Sequence, residues 1–329
     1  MSPMNILLTH TPQMRANYYG ARALAELGQL GRVRLHESGE ALDPPSLMAA
    51  AQGIDLIIAD RLTTGPASIF SALPTLKAFL RSAVDIRNVD VPAASAAGIL
   101  VTRAKPGFVA SVVELTVGFL VDLARGVSRA GSDYHAGRLP EVRMGRQLSG
   151  STIGIIGYGS IGRALAPVAA ALGMHVLISD PLATVDDPRF EHVSMETLLA
   201  AADHVVCLAV ATEATENLMN ASAFRQMKRD AVFINVSRGN LVDEAALAAA
   251  LRDGTIAAAA MDVGRARDQM PSLDLARLGN VIATPHIGGL TPPAIEAQAF
   301  DTVEQVREIV AGKIPHGAVN AEHWSRRPA

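Results

Sequence analysis

A run of β-branched and small apolar residues, Thr152-Ile153-Gly154-Ile155-Ile156, ends in Gly157-Tyr158-Gly159-Ser160-Ile161-Gly162, and an Ala- and Leu-rich helical stretch follows. Strand, glycine turn and helix N-terminus in that order are what a dinucleotide pyrophosphate requires. Gly157 permits the turn, Gly159 lets backbone approach phosphate, and Gly162 lets the helix pack close on the strand. The N–H groups around Ser160 and Ile161 then face the negative charge. About 20 residues further on, a second strand closes on Asp180, a carboxylate suited to the ribose hydroxyls. No Arg or Lys follows before Arg189, so a 2′-phosphate would meet an unneutralised carboxylate and NAD is expected over NADP.

Three more polar groups stand directly after apolar runs. Arg238 follows Asn235-Val236-Ser237, and its planar fork can grip a carboxylate through two parallel bonds that Lys cannot make. Asp262 closes Ala260-Met261. His286 follows Thr284-Pro285, and imidazole is the side chain best matched to proton transfer near neutral pH. Open α/β sheets bind ligands at the carboxyl ends of their parallel strands, which is where all three fall.

Elements of an α/β chain must hold these groups. Apolar runs at 6–8, 33–35, 56–59, 78–80 and 100–102 read as strands, with helices over 13–28, 45–52 and 68–73 between them. Together they make a first doubly wound unit. A long helix over 111–129 and a polar, glycine-containing stretch lead to Gly150. After Thr152, strands over 205–209, 231–236, 257–263 and 281–284 alternate with helices over 195–201, 220–226 and 244–253, the last N-capped by Asp243. Pro167 falls inside the fingerprint helix and is expected to kink it or cost stability. Thr291-Pro292-Pro293 marks a break before a final amphipathic helix, 294–312, which could complete either unit.

Composition narrows the classes. A chain of 329 residues exceeds what one core usually supports, so two domains are expected. Hydrophobic content of 49% with only 4% aromatic points to Ala/Val/Leu/Ile packing. A net charge of −3 and a pI near 6.3 argue against a nucleic-acid partner. No run approaches the roughly 18 apolar residues of a membrane span, and the N-terminal apolar run is too short for a signal peptide. The single cysteine, Cys207, excludes an intrachain disulfide and suits a reducing cytosol, so a cytoplasmic location is expected. No Cys/His grouping has metal-ligand spacing. The remaining histidines, His10 among them, read as structural or exposed, and Trp324 as a docked tail residue.

With Asn88-Val89-Asp90-Val91-Pro92 upstream, the Arg238, Asp262 and His286 segments resemble the D-isomer-specific 2-hydroxyacid dehydrogenases over about 80–320. The resemblance implies a Rossmann NAD-binding domain, residues 104–289, inserted into a flavodoxin-like substrate domain formed by 1–103 and 290–329. It implies hydride transfer between NAD(H) and a small D-2-hydroxy acid or 2-oxo acid. Arg238 would be the substrate arginine and His286 the acid–base group. Asp262 would orient the nicotinamide carboxamide, and the Val236–Arg238 (Val236, Ser237, Arg238) and His286–Gly289 (His286, Gly288, Gly289) turns would border the ring. Backbone N–H groups of Ser82, Ala83 and Val84 would hold the substrate carboxylate. The long helix resembles the family's dimer arm, so a homodimer is expected.

Departures from the family pattern leave alternatives open. The family places a glutamate that supports the histidine where this chain has Arg267. Asp268, one residue on, is assigned that role, with Gln269 as the alternative. Asp85 and Arg87 stand where small or acidic residues are usual. Two other readings remain: oxidation of a one-centre anion such as formate or phosphite, whose histidine pairs with Gln, and an NAD-sensing binding protein of the corepressor kind.

Overall fold

The structure is a computed structural model, which describes residues 3–328. The chain divides into two compact units, Met1–Phe108 with Thr291–Ala329, and Val109–Leu290. The final helix, Pro292–Val310, thus completes the first unit.

The first unit is built on five parallel strands, β1 (Met4–Leu8), β2 (Gly31–Leu35), β3 (Leu56–Ala59), β4 (Ala78–Arg81) and β5 (Leu100–Arg103), in the order β2-β1-β3-β4-β5. This is the flavodoxin-like order, with a switch point between β1 and β3. Strands β3 and β4 are buried along their whole length, as expected of a sheet covered on both faces. One face packs on Leu47, Ile69 and Phe70. The other packs on Leu27 and on Ala299, Val303, Val306 and Ile309 of the final helix. Trp324 is docked there as well, its indole N–H donating to Lys77 O at 3.0 Å. One expected helix, 13–28, is broken into Pro12–Tyr18 and Ala21–Leu30 by Gly20 at φ 84°, a conformation that interrupts helical hydrogen bonding.

The second unit has seven parallel strands: β6 (Thr152–Ile156), β7 (His175–Ser179), β8 (Phe190–His192), β9 (His204–Cys207), β10 (Val232–Asn235), β11 (Ala258–Met261) and β12 (Val281–Ala283). Their order is β12-β11-β10-β9-β6-β7-β8, a Rossmann arrangement with a seventh strand and a switch point between β6 and β9. Strand β8 is not among the expected strands, because a three-residue edge strand with two exposed polar positions carries no hydrophobic period. The expected 111–129 helix begins at Val109 and stops at Arg125, where Gly126 at φ 67° starts a second helix, Val127–His135. The fingerprint helix runs unbroken from Ser160 to Ala171 with Pro167 inside it. Asp243 caps its helix as expected, accepting from Ala246 N at 3.0 Å.

Register decides what this sheet can present. Ile156 pairs with Cys207, Asn235 with Cys207 and Met261, and Met261 with Ala283. The residues that follow therefore leave the sheet along one edge. The glycine turn, Arg238, Asp262 and His286 belong to that edge.

Candidate functional site

The glycine turn has the stereochemistry its spacing requires. Gly157 sits at φ 98°, and a Cβ there would lie 2.6 Å from Ala209 N. A Cβ on Gly162 would run into Gly157 O. Gly159 differs: nothing lies within 4 Å of the Cβ position, and the residue is the N-cap of the 160–171 helix with no side chain capping it. The turn thus leaves open space beside uncapped helix-terminal N–H groups, including those of Ser160 and Ile161, and a pyrophosphate fits there.

Asp180, at the end of β7, holds the turn from the other side. Its carboxylate accepts from Tyr158 N at 2.7 Å and from Leu182 N at 2.9 Å. Tyr158, which donates its N–H to Asp180, also carries a cation against its ring. Arg163 lies with its guanidinium 4.5 Å from the centre of the Tyr158 ring, and it reaches Thr184 O at 3.4 Å. The stretch after Asp180 has no cation before Arg189, and Arg163 comes from the first turn of the 160–171 helix. Arg189 is engaged by Asp187 through two donors at 2.6–3.1 Å.

At the end of β10, Asn235 organises the turn carrying Arg238. Its amide donates to Arg238 O at 2.9 Å and accepts from Ser237 N at 3.1 Å, and Ser237 Oγ donates to Ala209 O at 2.8 Å. Arg238 Nη1 donates to Ser237 O at 2.7 Å. Asn235 is fully buried, so this scaffold is part of the core.

Asp262 braces the histidine turn. It is 1% exposed, and its carboxylate accepts three hydrogen bonds: Thr284 Oγ1 at 2.6 Å, Ile287 N at 2.8 Å and Gly288 N at 2.8 Å. Its main-chain oxygen accepts from His286 N at 2.9 Å. These bonds hold His286 at φ 56°, a left-handed conformation that costs a non-glycine residue about 1–3 kcal/mol. The orienting role expected of Asp262 toward a nicotinamide is therefore joined by a structural one, which its acidity and position do not reveal.

Asp268 reaches His286, but the hydrogen bond comes from the main chain: Nδ1 lies 2.9 Å from Asp268 O. A carbonyl can only accept, so Nδ1 carries the proton and Nε2 is the nitrogen left to exchange one. Asp268, the expected partner, is thus the residue that meets the imidazole, and it does so through its main-chain carbonyl. Asp268 and Gln269 both have φ 57°, and the consecutive left-handed residues turn the Asp268 carbonyl toward the imidazole. Gln269 closes the turn through its backbone, its N–H donating to Ala266 O at 3.0 Å and its O accepting from Gly264 N at 2.7 Å.

In the first unit, Ser82-Ala83-Val84 follows β4 at the carboxyl edge. The expected N–H cradle is corrected at its first member. Ser82 N donates to Ala59 O at 3.0 Å because the β3–β4 register carries one residue past the strand. Ala83 and Val84 are then the N–H groups the turn offers. Ser82 Oγ lies 3.0 Å from Ala59 O and 3.2 Å from His10 Nε2. His10, read from sequence as structural or exposed, is thus a neighbour of this turn. Burial lowers its pKa to about 4, with Arg81 and Arg15 adding to the shift and Asp60 opposing it. Asp85 and Arg87 close on each other in a bidentate pair at 2.7–3.1 Å. The guanidinium of Arg81 donates to the carbonyls of Asp60, Arg61 and Asp85.

Residues 117–288 match the family described as D-isomer specific 2-hydroxyacid dehydrogenase, NAD binding domain. The chain is 34% identical to D-3-phosphoglycerate dehydrogenase of Mycobacterium leprae over 85% of its own length and 54% of that protein's. It therefore spans about half of that relative. It is 30% identical to hydroxypyruvate reductase of Thermotoga maritima, covering 84% of the chain and 92% of the relative. Among solved structures, a protein from Thermus thermophilus superposes with a TM-score of 0.87 at 30% identity, over 96% of this chain and all of that one.

Proposed function

The chain belongs to the D-isomer specific 2-hydroxyacid dehydrogenase family, and from that premise we propose that it is an NAD-dependent oxidoreductase interconverting a small D-2-hydroxy acid and its 2-oxo acid. The observation that carries the reading is the shared strand edge in the second unit, where an uncapped glycine turn, an arginine and a tautomer-fixed histidine leave the same sheet.

NAD supplies the hydride acceptor, or NADH the donor, when bound. Gly157, Gly159, Ser160, Ile161, Gly162 and Asp180 would hold its pyrophosphate and adenosine ribose. The turns of Val236, Ser237 and Arg238 and of Asp262, His286, Gly288 and Gly289 would border its nicotinamide. Arg238 would grip the substrate carboxylate and polarise the C2 carbonyl with its planar fork. In the reductive direction, His286 gives the Nε2 proton to the C2 oxygen as C2 gains hydride, and is left as the neutral Nδ1–H tautomer. In the oxidative direction that Nε2 lone pair takes the hydroxyl proton. Asp268 keeps Nε2 available by holding Nδ1–H through its carbonyl.

The formate- or phosphite-type reading rests on a Gln partner, and the imidazole's hydrogen bond to a main-chain carbonyl removes that support. We also propose a homodimer, supported by an extended segment in which Leu139, Val142 and Met144 are 90%, 99% and 99% exposed. Apolar side chains displayed to that extent suit a covering partner.

The test is NADH oxidation with a panel of short 2-oxo acids, and NAD reduction with both enantiomers of the matching hydroxy acids. D-selective turnover that is lost in His286→Ala is the expected result. NADH binding with no turnover on any acid would favour the nucleotide-sensing reading instead.

A further inference from the structure

Arg265 stands in the loop that carries Asp268, and its side chain reaches out of that loop. Its Nε donates to Val242 O at 3.0 Å. Its Nη2 donates to Glu216 Oε1 at 2.8 Å, Asn217 Oδ1 at 2.6 Å and Asn240 O at 3.0 Å. Its own N–H donates to Glu244 Oε1 at 2.8 Å. Asn240 and Val242 closely follow Arg238, so this guanidinium ties its own loop, 264–271, which carries the Asp268 carbonyl, to the segment leaving the arginine turn.

The approach of these two segments is close. A Cβ on Gly239 would collide with Gly264 O, and one on Gly264 would lie 2.5 Å from Pro271 Cα. Strain gathers in the same place. Among the described residues, the non-glycine positions with positive φ are Asn217, Asp268, Gln269 and His286. Asn217 accepts from Arg265, Asp268 and Gln269 form the turn Arg265 anchors, and His286 is bonded by that turn. Strained backbone persists only where its surroundings over-determine it.

We propose that Arg265 is the positioning residue of the acid–base centre: its four-acceptor guanidinium brace fixes the turn that presents Asp268 O to His286 Nδ1, and so fixes which imidazole nitrogen exchanges a proton. The inference rests on the assignment of His286 in the proposed function. Arg265 and Glu216 are 38% and 41% exposed at the side chain, and an ordinary surface ion pair of that exposure contributes little. A brace predicts something different, because three of the guanidinium's four acceptors lie outside the ion pair, two of them main-chain carbonyls. Lys could keep Glu216 but could not fork onto Val242, Asn217 and Asn240 together.

The experiment compares Arg265→Ala and Arg265→Lys with wild type in three readouts: kcat for the 2-oxo acid, NADH affinity, and the 15N shifts of the His286 ring. Loss of a group that orients a catalytic side chain suggests a fall in kcat of ~10- to 100-fold. NADH affinity should hold within about twofold, since the glycine turn is untouched. The ring should change from a single Nδ1–H tautomer to a mixture, with Arg265→Lys recovering only part of each effect. A kcat within about threefold of wild type, a loss too small for a group that orients a catalytic one, would overturn the proposal. So would a fall in kcat with an unchanged tautomer, which would mark the effect as general destabilisation. If Arg265→Ala does not fold, Arg265→Lys is judged by the same tautomer signature. That signature requires no turnover: should His286→Ala leave activity intact, the catalytic assignment fails while the brace is still decided by the ring shifts.

Discussion

Replacing Asp262 by Asn tests whether this carboxylate is the brace of the histidine turn. The native group accepts from one hydroxyl and two N–H groups at 2.6–2.8 Å while 1% exposed. Asn offers one acceptor oxygen, which can keep Thr284 and Ile287. Its amide NH2 would then face the N–H of Gly288, donor against donor. The variant loses one charge-assisted bond, weakens two more, and leaves a buried N–H without an acceptor. Together these suggest about 2–5 kcal/mol. For a unit of this size each kcal/mol lowers the melting temperature by roughly 2–4 °C, so a fall of about 4–20 °C is expected. Thermal unfolding followed by circular dichroism measures it. Turnover should fall by more than about tenfold even well below the melting point, because the left-handed His286 is held by the same turn. An Asp262→Asn protein that melts within about 2 °C of wild type would refute the reasoning, since three buried bonds to a carboxylate cannot be altered at so small a cost.

Further outcomes follow from the same geometry. Arg238→Lys should lower kcat/KM by ~30- to 1000-fold, the loss of one charge-assisted bond in a desolvated site, while NADH binding survives; near-native turnover would remove Arg238 as the clamp. NAD should be preferred over NADP in kcat/KM, and Asp180→Ala should narrow the gap. Arg163→Ala should then widen it again, because the cation over Tyr158 is what remains to meet a 2′-phosphate; a preference for NADP in wild type would sink the assignment. Gln269→Val should cost about 1–3 kcal/mol in chemical denaturation, as a β-branched residue resists φ 57°. His10 gives a pH signature. Its folded pKa of about 4 lies below the unfolded 6.5, so the unfolded chain takes up the proton first as pH falls. Stability is full above pH 6.5 and falls by about 3 kcal/mol between there and pH 4, a loss that His10→Gln should abolish in pH-dependent melting.

The sheets and the glycine turn were legible because their signals are local. A buried parallel strand is an uninterrupted apolar run, and Gly157 and Gly162 are demanded by contacts that any Cβ would violate. The breaks at Gly20 and Gly126 were harder to place, since a glycine inside a helical pattern costs little until its φ turns positive. Contacts distant in sequence carried no local signal at all. His10 meets Ser82 across two strands, and Arg163 stands over Tyr158 because a helix turn folds back on the loop before it. The candidate arginine and histidine stand out by their positions after strands, whereas the groups that hold them do not.

The partner of His286 shows why. The slot where the family carries an acid holds Arg267, with Asp268 beside it, so the sequence points to a carboxylate moved by one residue. The fold instead supplies a carbonyl, an atom every residue carries, and makes it specific through backbone conformation. That substitution has a structural cost: two adjacent non-glycine residues at φ 57° and a histidine at φ 56° must be held in place. Glycine at 268 or 269 would relieve the strain but would also free the carbonyl to turn away. Side chains at those positions therefore narrow the turn to one conformation, and the surrounding hydrogen bonds select it. Function at this centre is encoded less in which acid is present than in the network that keeps an unfavourable backbone from relaxing, and Gly264, Arg265 and Asp262 are its fixed points.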